Sequence, residues 1–528
     1  MTEINDNTIK FIKVIIGNFA VCDLNKFKKI IKQSGTKNIT VNNVFILKIK
    51  QPFLIQFPEC TEPQQVWFCK LLKKESETEN YFFKTVYTIY ARCKNSMKIL
   101  DRINRDYICN HMTLPTGSDK IIAIKSVAGS GKTTTLLNLA KRFKDKKILY
   151  LAFNKSLIEE IKNKLNDNGI KNMSPQTFDA LMRDVYINST DEFPNLIDLK
   201  HTTIGDYEPF FKGKSFQLRK AYVNYYQKFC NQVEFSDPKK FSQRKLGGEK
   251  RLLISMWKDT VNKKYQTFDS IRKLAQINRW ARGYIDNIFD MVFIDEAQDF
   301  DPLMLHILLN DVKLPKIFVG DPMQAIYEWR GCINSFDNLP ETAQIIEFYS
   351  TFRLGEPACT IVRKSFENCW MISKSLNKTN IVPNKDFKDT ESFVYLFRTW
   401  KSLLQTAAKI NTKVWIYNFE SQMEFIKKLH QKLQYADLSK EERNNFSDDL
   451  PAFLIKLSFE QLDELLSNVK SNYTNEKSKA KCMMYTIHSF KGLEHDRIKI
   501  HDDIQPDEHN LRYVALTRGK LEIAIAID

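Results

Sequence analysis

The ten cysteines, scattered from Cys22 to Cys482, contain no C-x-x-C pair. That absence argues against a disulfide framework, a zinc site or an iron–sulfur cluster, and for reduced structural thiols. The eight histidines form no ligand cluster either. Their nearest approach to one, His501-Asp502-Asp503, lies just past an apolar strand and reads as a solvated turn. No run reaches the about 20 apolar residues that a membrane span needs, and Met1–Lys13 lacks the basic start and apolar centre of a signal peptide. The chain is expected to stay inside the cell.

What is present is an ordinary globular composition, 43% hydrophobic and 27% charged, over 528 residues. That length exceeds what one hydrophobic core supports, so several domains are expected. Lysine and arginine exceed the acids by 17, and the pI is about 9.2. Such an excess fits an anionic polymer as partner, because phosphate neutralisation supplies most sequence-independent affinity. A solvated Lys/Asn-rich surface would give the same balance, and composition alone does not separate the two.

The most informative stretch is Ile121–Phe143, IIAIKSVAGSGKTTTLLNLAKRF. Ile121–Ile124 reads as a buried strand, and Leu136, Leu137, Ala140 and Phe143 recur at helical spacing. Between them, Gly129-Ser130-Gly131-Lys132-Thr133-Thr134 matches the end of a phosphate-binding loop. Polyphosphate is densely anionic, so the loop must turn successive N–H groups inward at a helix N-terminus, and only small residues permit the close approach. Lys132 would sit on the outer phosphates and the Thr133 hydroxyl would hold Mg²⁺. Ser126 stands where the pattern usually has its first glycine.

Past this loop, Ile148–Phe153 reads as a strand, Asn154–Leu165 as a helix, and Thr177-Phe178-Asp179-Ala180-Leu181 as the start of another. Alternating strands and helices predict an α/β fold with a parallel sheet covered on both faces. The long gap from Lys132 to the acidic cluster Asp295-Glu296-Ala297-Gln298-Asp299 predicts an inserted subdomain. That insertion interleaves Tyr222, Tyr225, Tyr226 and Phe229 with Lys239, Lys240, Arg244, Lys245, Lys250 and Arg251. Such a mixture suits either a surface that tracks a nucleic-acid strand or a helical unit with a solvated basic face. After the apolar strand Met291–Ile294, Asp295 can hold Mg²⁺ through water while Glu296 polarises the attacking water. The strand Lys316–Val319 leads into Gly320–Gly331, where Gln324 can reach a terminal phosphate and Tyr327 and Trp329 can offer stacking faces.

Taken in order, SVAGSGKT, LAFNKSLIEE, TFDAL, FIDEAQD, VGDPMQAIYEWRG, FYSTFRLG, TIHSFKGLE and YVALTRG resemble the motifs of superfamily 1 helicases of the UvrD/Rep type. Their wording is most similar to the eukaryotic F-box DNA helicases, although no F-box is recognisable at the front. The resemblance implies two RecA-like P-loop domains with ATP and Mg²⁺ between them and single-stranded DNA across their tops. It further implies 3′-to-5′ movement and unwinding of tailed duplexes in replication, repair or recombination, in nucleus, cytoplasm or a viral replication compartment. By position it makes Glu296 the general base, Asp295 a metal ligand and Gln324 the γ-phosphate sensor. Phe352 would stack on adenine, Glu494 would touch the ribose, and Arg353 and Arg518 would stabilise the transferring phosphoryl group. Phe153, Asn154, Thr177, Phe178, Tyr327, Trp329, Arg330 and His488 would face the strand. Asn104 occupies the slot of the family's adenine-reading glutamine, which implies relaxed base selectivity, and Asp179 stands where a histidine is common.

The expected layout is an extension over 1–95, a first RecA-like domain over 96–182 and 287–350, and a subdomain inserted at 183–286. A second RecA-like domain over 351–431 and 481–528 carries a reduced insertion at 432–480. No nuclease or partner-binding tail is expected after Asp528. Two rival expectations are an RNA track in place of DNA and a nucleotide-gated binding module that hardly unwinds.

Overall fold

A computed structural model describes residues 98, 101–102, 104–113, 121–190, 216–238, 240–241, 249–262, 266–328, 331–366, 369–435 and 449–526. The expectations for the extension over 1–95, and for Lys239, Arg244, Lys245, Trp329 and Arg330, lie outside the described residues, as do those for the side chains of Lys250 and Arg251.

Two six-stranded sheets organise the chain. The first contains β1 (Ile121–Ser126), β2 (Ile148–Ala152), β3 (Met173–Thr177), β4 (Met291–Ile294), β5 (Lys316–Gly320) and β6 (Gln344–Phe348). Their order is β3-β2-β4-β5-β1-β6, and every neighbouring pair is parallel. The second contains β7 (Asn380–Pro383), β8 (Phe393–Phe397), β9 (Val414–Ile416), β10 (Cys482–Thr486), β11 (His495–Ile500) and β12 (Gly519–Ile525). It is again wholly parallel, in the order β9-β10-β8-β11-β12-β7. Parallel strands covered on both faces read as unbroken apolar runs. Accordingly β2 and β4 are buried at every position.

In the first lobe, helix α1 (Lys132–Arg142) follows β1 and α2 (Lys155–Asp167) follows β2. Asn154 caps α2, its side chain accepting the Leu157 N–H at 2.8 Å. Inserted between β3 and β4 are α3 (Phe178–Thr190), α4 (Phe216–Asn231), α5 (Glu249–Val261), α6 (Phe268–Asn278) and α7 (Trp280–Ile288). The insertion is helical among the described residues, and several of its described aromatics face inward. Tyr222, Tyr225, Tyr226 and Phe229 are all buried and share a core with Phe241, Trp257 and the first sheet. These four rings are therefore packing residues, which fits the second of the two expectations, a helical unit, and not a strand-tracking surface built on them.

The second lobe carries α8 (Glu356–Ser365), α9 (Trp400–Lys409), α10 (Phe419–Tyr435), α11 (Asp449–Leu454), α12 (Phe459–Asn472), the single turn α13 (Ile487–Phe490) and α14 (His509–Leu516). Leu454, Leu462, Leu466 and Val469, from the segment read as a reduced insertion, pack into one core with Leu403 and Leu404 of α9 and with β9 and β10. The described part of this segment, residues 449–472, thus packs against the second sheet.

Candidate functional site

The C-terminal ends of β1, β4 and β5 meet at one point, the position where open parallel sheets bind ligands. After β1 the chain turns through Gly129 (φ 70°) and Gly131 (φ 81°), both left-handed, and α1 begins at Lys132. A Cβ at Gly129 would lie 2.6 Å from Cβ of Arg353 and 2.7 Å from Oγ1 of Thr351. The loop is thus a tight cradle that a larger residue would fill. Ser126 has a definite role here: its hydroxyl donates to the Gly320 carbonyl at 2.9 Å and ties β1 to the end of β5. The Ser130 hydroxyl is buried without a hydrogen-bond partner. Thr133 follows on the first turn of α1, and Thr134 beside it is exposed.

Lys132 points its ammonium at Glu296, 3.4 Å from Oε1. Burial works against that charge, but Glu296, Asp321 and Asp295 outweigh it and raise the lysine's pKa. The Asp295 carboxylate is fixed by the Tyr150 hydroxyl at 2.6 Å and by the Glu296 N–H at 2.9 Å. Burial and the neighbouring Glu296 charge push its pKa up. Glu296 also feels burial, but Lys132 and Lys491 pull it below the usual carboxylate range. Its backbone is left-handed at φ 51°, a conformation that costs a non-glycine residue about 1–3 kcal/mol and clusters at functional sites. Unstrained sequence would not hold the carboxylate there; the hydrogen bond from Gln298 Nε2 to its side chain helps to do so.

The second lobe closes over this cradle. The Arg518 guanidinium, 2% exposed, donates to Gln324 Oε1 at 2.9 Å and to the Val514 carbonyl at 3.0 Å. Burial and the charge of Arg353 depress its pKa. Arg353 is held by Glu494 at 2.7 Å and by the Thr517 carbonyl at 2.9 Å. Despite burial, Arg353 and Lys520 hold the Glu494 carboxyl below its ordinary value. Phe352 is 52% exposed, and a Cβ on Gly131 would contact its ring. The guanidinium of Arg105 lies 5.2 Å from the Phe352 ring centre and the Lys374 ammonium 6.0 Å from it. The Asn104 side chain, 3% exposed, donates to the Glu347 carbonyl at 2.8 Å.

On the other side of the seam, Phe153 and Tyr327 stack with centroids 5.5 Å apart, and His488 lies 6.0 Å from Tyr327. Burial first, and Arg398 second, bring His488 down to about 4. It is a neutral ring at physiological pH and can meet a strand by stacking, not by charge. Three residues expected to face the strand are engaged within the fold. Phe178 is 1% exposed and packs on Phe300 in the core, which corrects its reading as a surface ring. The Thr177 hydroxyl accepts the Ala180 N–H at 3.1 Å and caps the start of α3, as Asn154 caps α2.

Four connecting residues escaped the sequence reading although their motifs were recognised. Lys491 crosses the seam to Asp299, at 2.7 and 2.6 Å from its two oxygens, and to the Gln324 carbonyl at 2.6 Å. Tyr513 accepts the Ala128 N–H at 3.1 Å and donates to Asp321 at 3.0 Å. The polar residue inside the apolar run YVAL was the available signal for Tyr513. No comparable local signal marks the Lys491–Asp299 pair.

Glycine cradle, loop lysine, paired acids and the buried guanidinium opposite them fit a magnesium nucleotide, and two lobes with parallel sheets flank them. Fold and site together define a P-loop nucleotide-binding protein of two RecA-like lobes. Residues 110–342 match the UvrD/REP helicase N-terminal domain. The chain is 25% identical over 490 residues to F-box DNA helicase 1 of Gallus gallus, covering 76% of this chain and 47% of the relative. It is 22% identical over 494 residues to F-box DNA helicase protein 1 of Schizosaccharomyces pombe, covering 77% and 55%. It therefore spans about half the length of these relatives. Among solved structures, the Arterivirus nonstructural protein 10 helicase aligns over 81% of this chain and 61% of its own. The identity is 11% and the TM-score 0.32, too slight a likeness to carry an argument.

Proposed function

We propose that the protein is an ATP-driven motor that moves 3′-to-5′ along single-stranded DNA and separates tailed duplexes. The observation that carries this is the seam: Arg518 of the second lobe hydrogen-bonds Gln324 of the first, beside the Lys132 cradle. Gly129, Ser130, Gly131, Lys132 and Thr133 would hold the triphosphate, Thr133 and Asp295 the Mg²⁺, and Phe352 the base. Held by Thr133 and Asp295, Mg²⁺ would supply positive charge against the charge that develops on the phosphates during hydrolysis. Glu296, poised as a carboxylate, accepts a proton from the attacking water. Gln324 orients near the terminal phosphate, and Arg353 and Arg518 supply positive charge from the far lobe. Because those cations belong to the second lobe, hydrolysis is coupled to lobe closure. Closure in turn moves His488 relative to Phe153 and Tyr327, the rings read here as the strand path.

The test is ATPase activity with and without single-stranded DNA, followed by unwinding of duplexes tailed at either end. Stimulation by DNA and a preference for 3′ tails are expected. Lys132→Ala should abolish turnover and spare strand binding. Absence of stimulation in the unaltered protein would overturn the motor reading, and equal stimulation by matched RNA would broaden the track.

A further inference from the structure

At the edge of the second sheet, next to the seam, lies an aromatic cluster to which no role has been given. Trp415 and Tyr417 come from β9 and the residue after it, and Tyr485 from β10. Tyr417 stacks on Tyr485 with centroids 5.4 Å apart and an interplanar angle of 22°. Trp415 lies 5.6 Å from Tyr485. The Lys477 ammonium stands 5.1 Å from the Trp415 ring centre and 5.9 Å from that of Tyr485, and donates to the Tyr485 hydroxyl at 3.2 Å. Edge packing accounts for Tyr485, which is buried. It does not account for Tyr417, which keeps 37% of its surface exposed, or for an exposed cation set over the rings.

Position links this cluster to the strand path. β9 and β10 are parallel neighbours, so their C-terminal ends lie side by side, about 4.8 Å apart. His488 follows β10 on α13, and Tyr417 follows β9. A strand leaving Phe153, Tyr327 and His488 along this edge would next meet Tyr417. Rings interleaved with cations are what single strands use, with bases stacked and phosphates paired. Aromatic faces tolerate any base, as a translocating protein requires.

We infer that Trp415, Tyr417 and Lys477 form an additional single-stranded nucleic-acid subsite that extends the path beyond His488, Tyr417 stacking a base and Lys477 pairing a phosphate. The inference rests on the strand-binding reading above. It is tested by fluorescence anisotropy with oligothymidylates of graded length, on the full chain and its Tyr417→Ala, Tyr417→Phe and Lys477→Ala variants. Tyr417→Ala should weaken binding of long oligonucleotides roughly tenfold, one stacked base's worth, with the deficit vanishing at short lengths. Tyr417→Phe keeps the ring and should bind as the unaltered protein does. Lys477→Ala should flatten the salt dependence of binding by about one phosphate contact. Strand-free ATPase should be unchanged in all three, because none of these residues touches the nucleotide cradle. Equal affinity of Tyr417→Ala at every length, or equal weakening by Tyr417→Phe, would overturn the subsite while leaving the motor intact. Failure of the unaltered protein to bind any strand would remove both.

Discussion

Replacing Lys491 with methionine leaves Asp299 buried opposite no cation, and the consequence can be worked out with its pH dependence. Burial already lifts Asp299 to about 6, even though Lys491 pulls it down. Without that ammonium its pKa must rise further, so the folded variant carries a proton on Asp299 well above pH 6 while the unfolded chain does not. Wherever the fold binds the extra proton, stability falls by about 1.36 kcal/mol per pH unit as pH rises. The unaltered protein stops losing stability from this group near pH 6, but the variant continues to lose it. Between pH 6 and 7.5 the penalty of Lys491→Met should therefore grow, by up to about 2 kcal/mol if Asp299 stays protonated throughout. At roughly 2–4 °C per kcal/mol for lobes of this size, the melting offset should widen by up to about 8 °C across that interval. Adding Asp299→Asn removes the titrating group and should abolish the widening. Calorimetric scans of the four proteins at several pH values provide the measurement. A melting offset that stays constant from pH 6 to 7.5, or widening that persists with Asp299→Asn, would refute the reasoning. Steady-state ATPase separates stability from coupling: the double variant should show no pH-dependent widening yet respond weakly to DNA, because the Gln324 carbonyl still lacks its donor.

Further outcomes follow from the same geometry. Arg518→Ala should lower kcat by about 10³ or more, as expected for a cation placed at a phosphoryl group, with strand affinity retained in the anisotropy assay. Arg518→Lys should not rescue it, since a compact ammonium lacks the planar fork whose separate nitrogens reach the Val514 carbonyl, Gln324 and Thr517. Phe352→Ala should raise the nucleotide KM roughly tenfold through lost stacking. ATP and GTP should differ little in kcat/KM in the unaltered protein, because the Asn104 amide is engaged with the Glu347 carbonyl.

Legibility in the sequence followed the range of each interaction. Met291–Ile294 was readable to the residue, since a strand buried on both faces must be continuously apolar. The phosphate cradle was readable because its chemistry tolerates few residue types. Strand β3, MSPQT, was not: it closes one edge of its sheet and is only partly buried, so its sequence carries no apolar run. Composition left Tyr222, Tyr225, Tyr226 and Phe229 open between two readings, although their i, i+3, i+4, i+7 spacing is that of a helix stripe facing a core. The Lys491–Asp299 pair spans 192 positions, and no local pattern encodes a partner at that distance.

The cross-seam contacts also bear on how a strand could be felt at the phosphates. The Lys491 ammonium stands 4.9 Å from the centre of the Tyr327 ring while bonding the Gln324 carbonyl and Asp299. Gln324 bonds Arg518 through one end of its amide and Asp321 through the other, at 2.9 and 2.8 Å. Asp321 accepts the Tyr513 hydroxyl, which itself accepts the N–H of Ala128 in the cradle. A displacement of Tyr327 by a stacked base therefore cannot leave Lys491 unmoved, and Lys491 cannot move without changing what holds Gln324. Gln324, proposed to align the terminal phosphate, and Tyr327, proposed to meet the strand, share the Lys491 cation. Coupling between them then requires no long pathway, only the two lobes pressing on the same few polar groups.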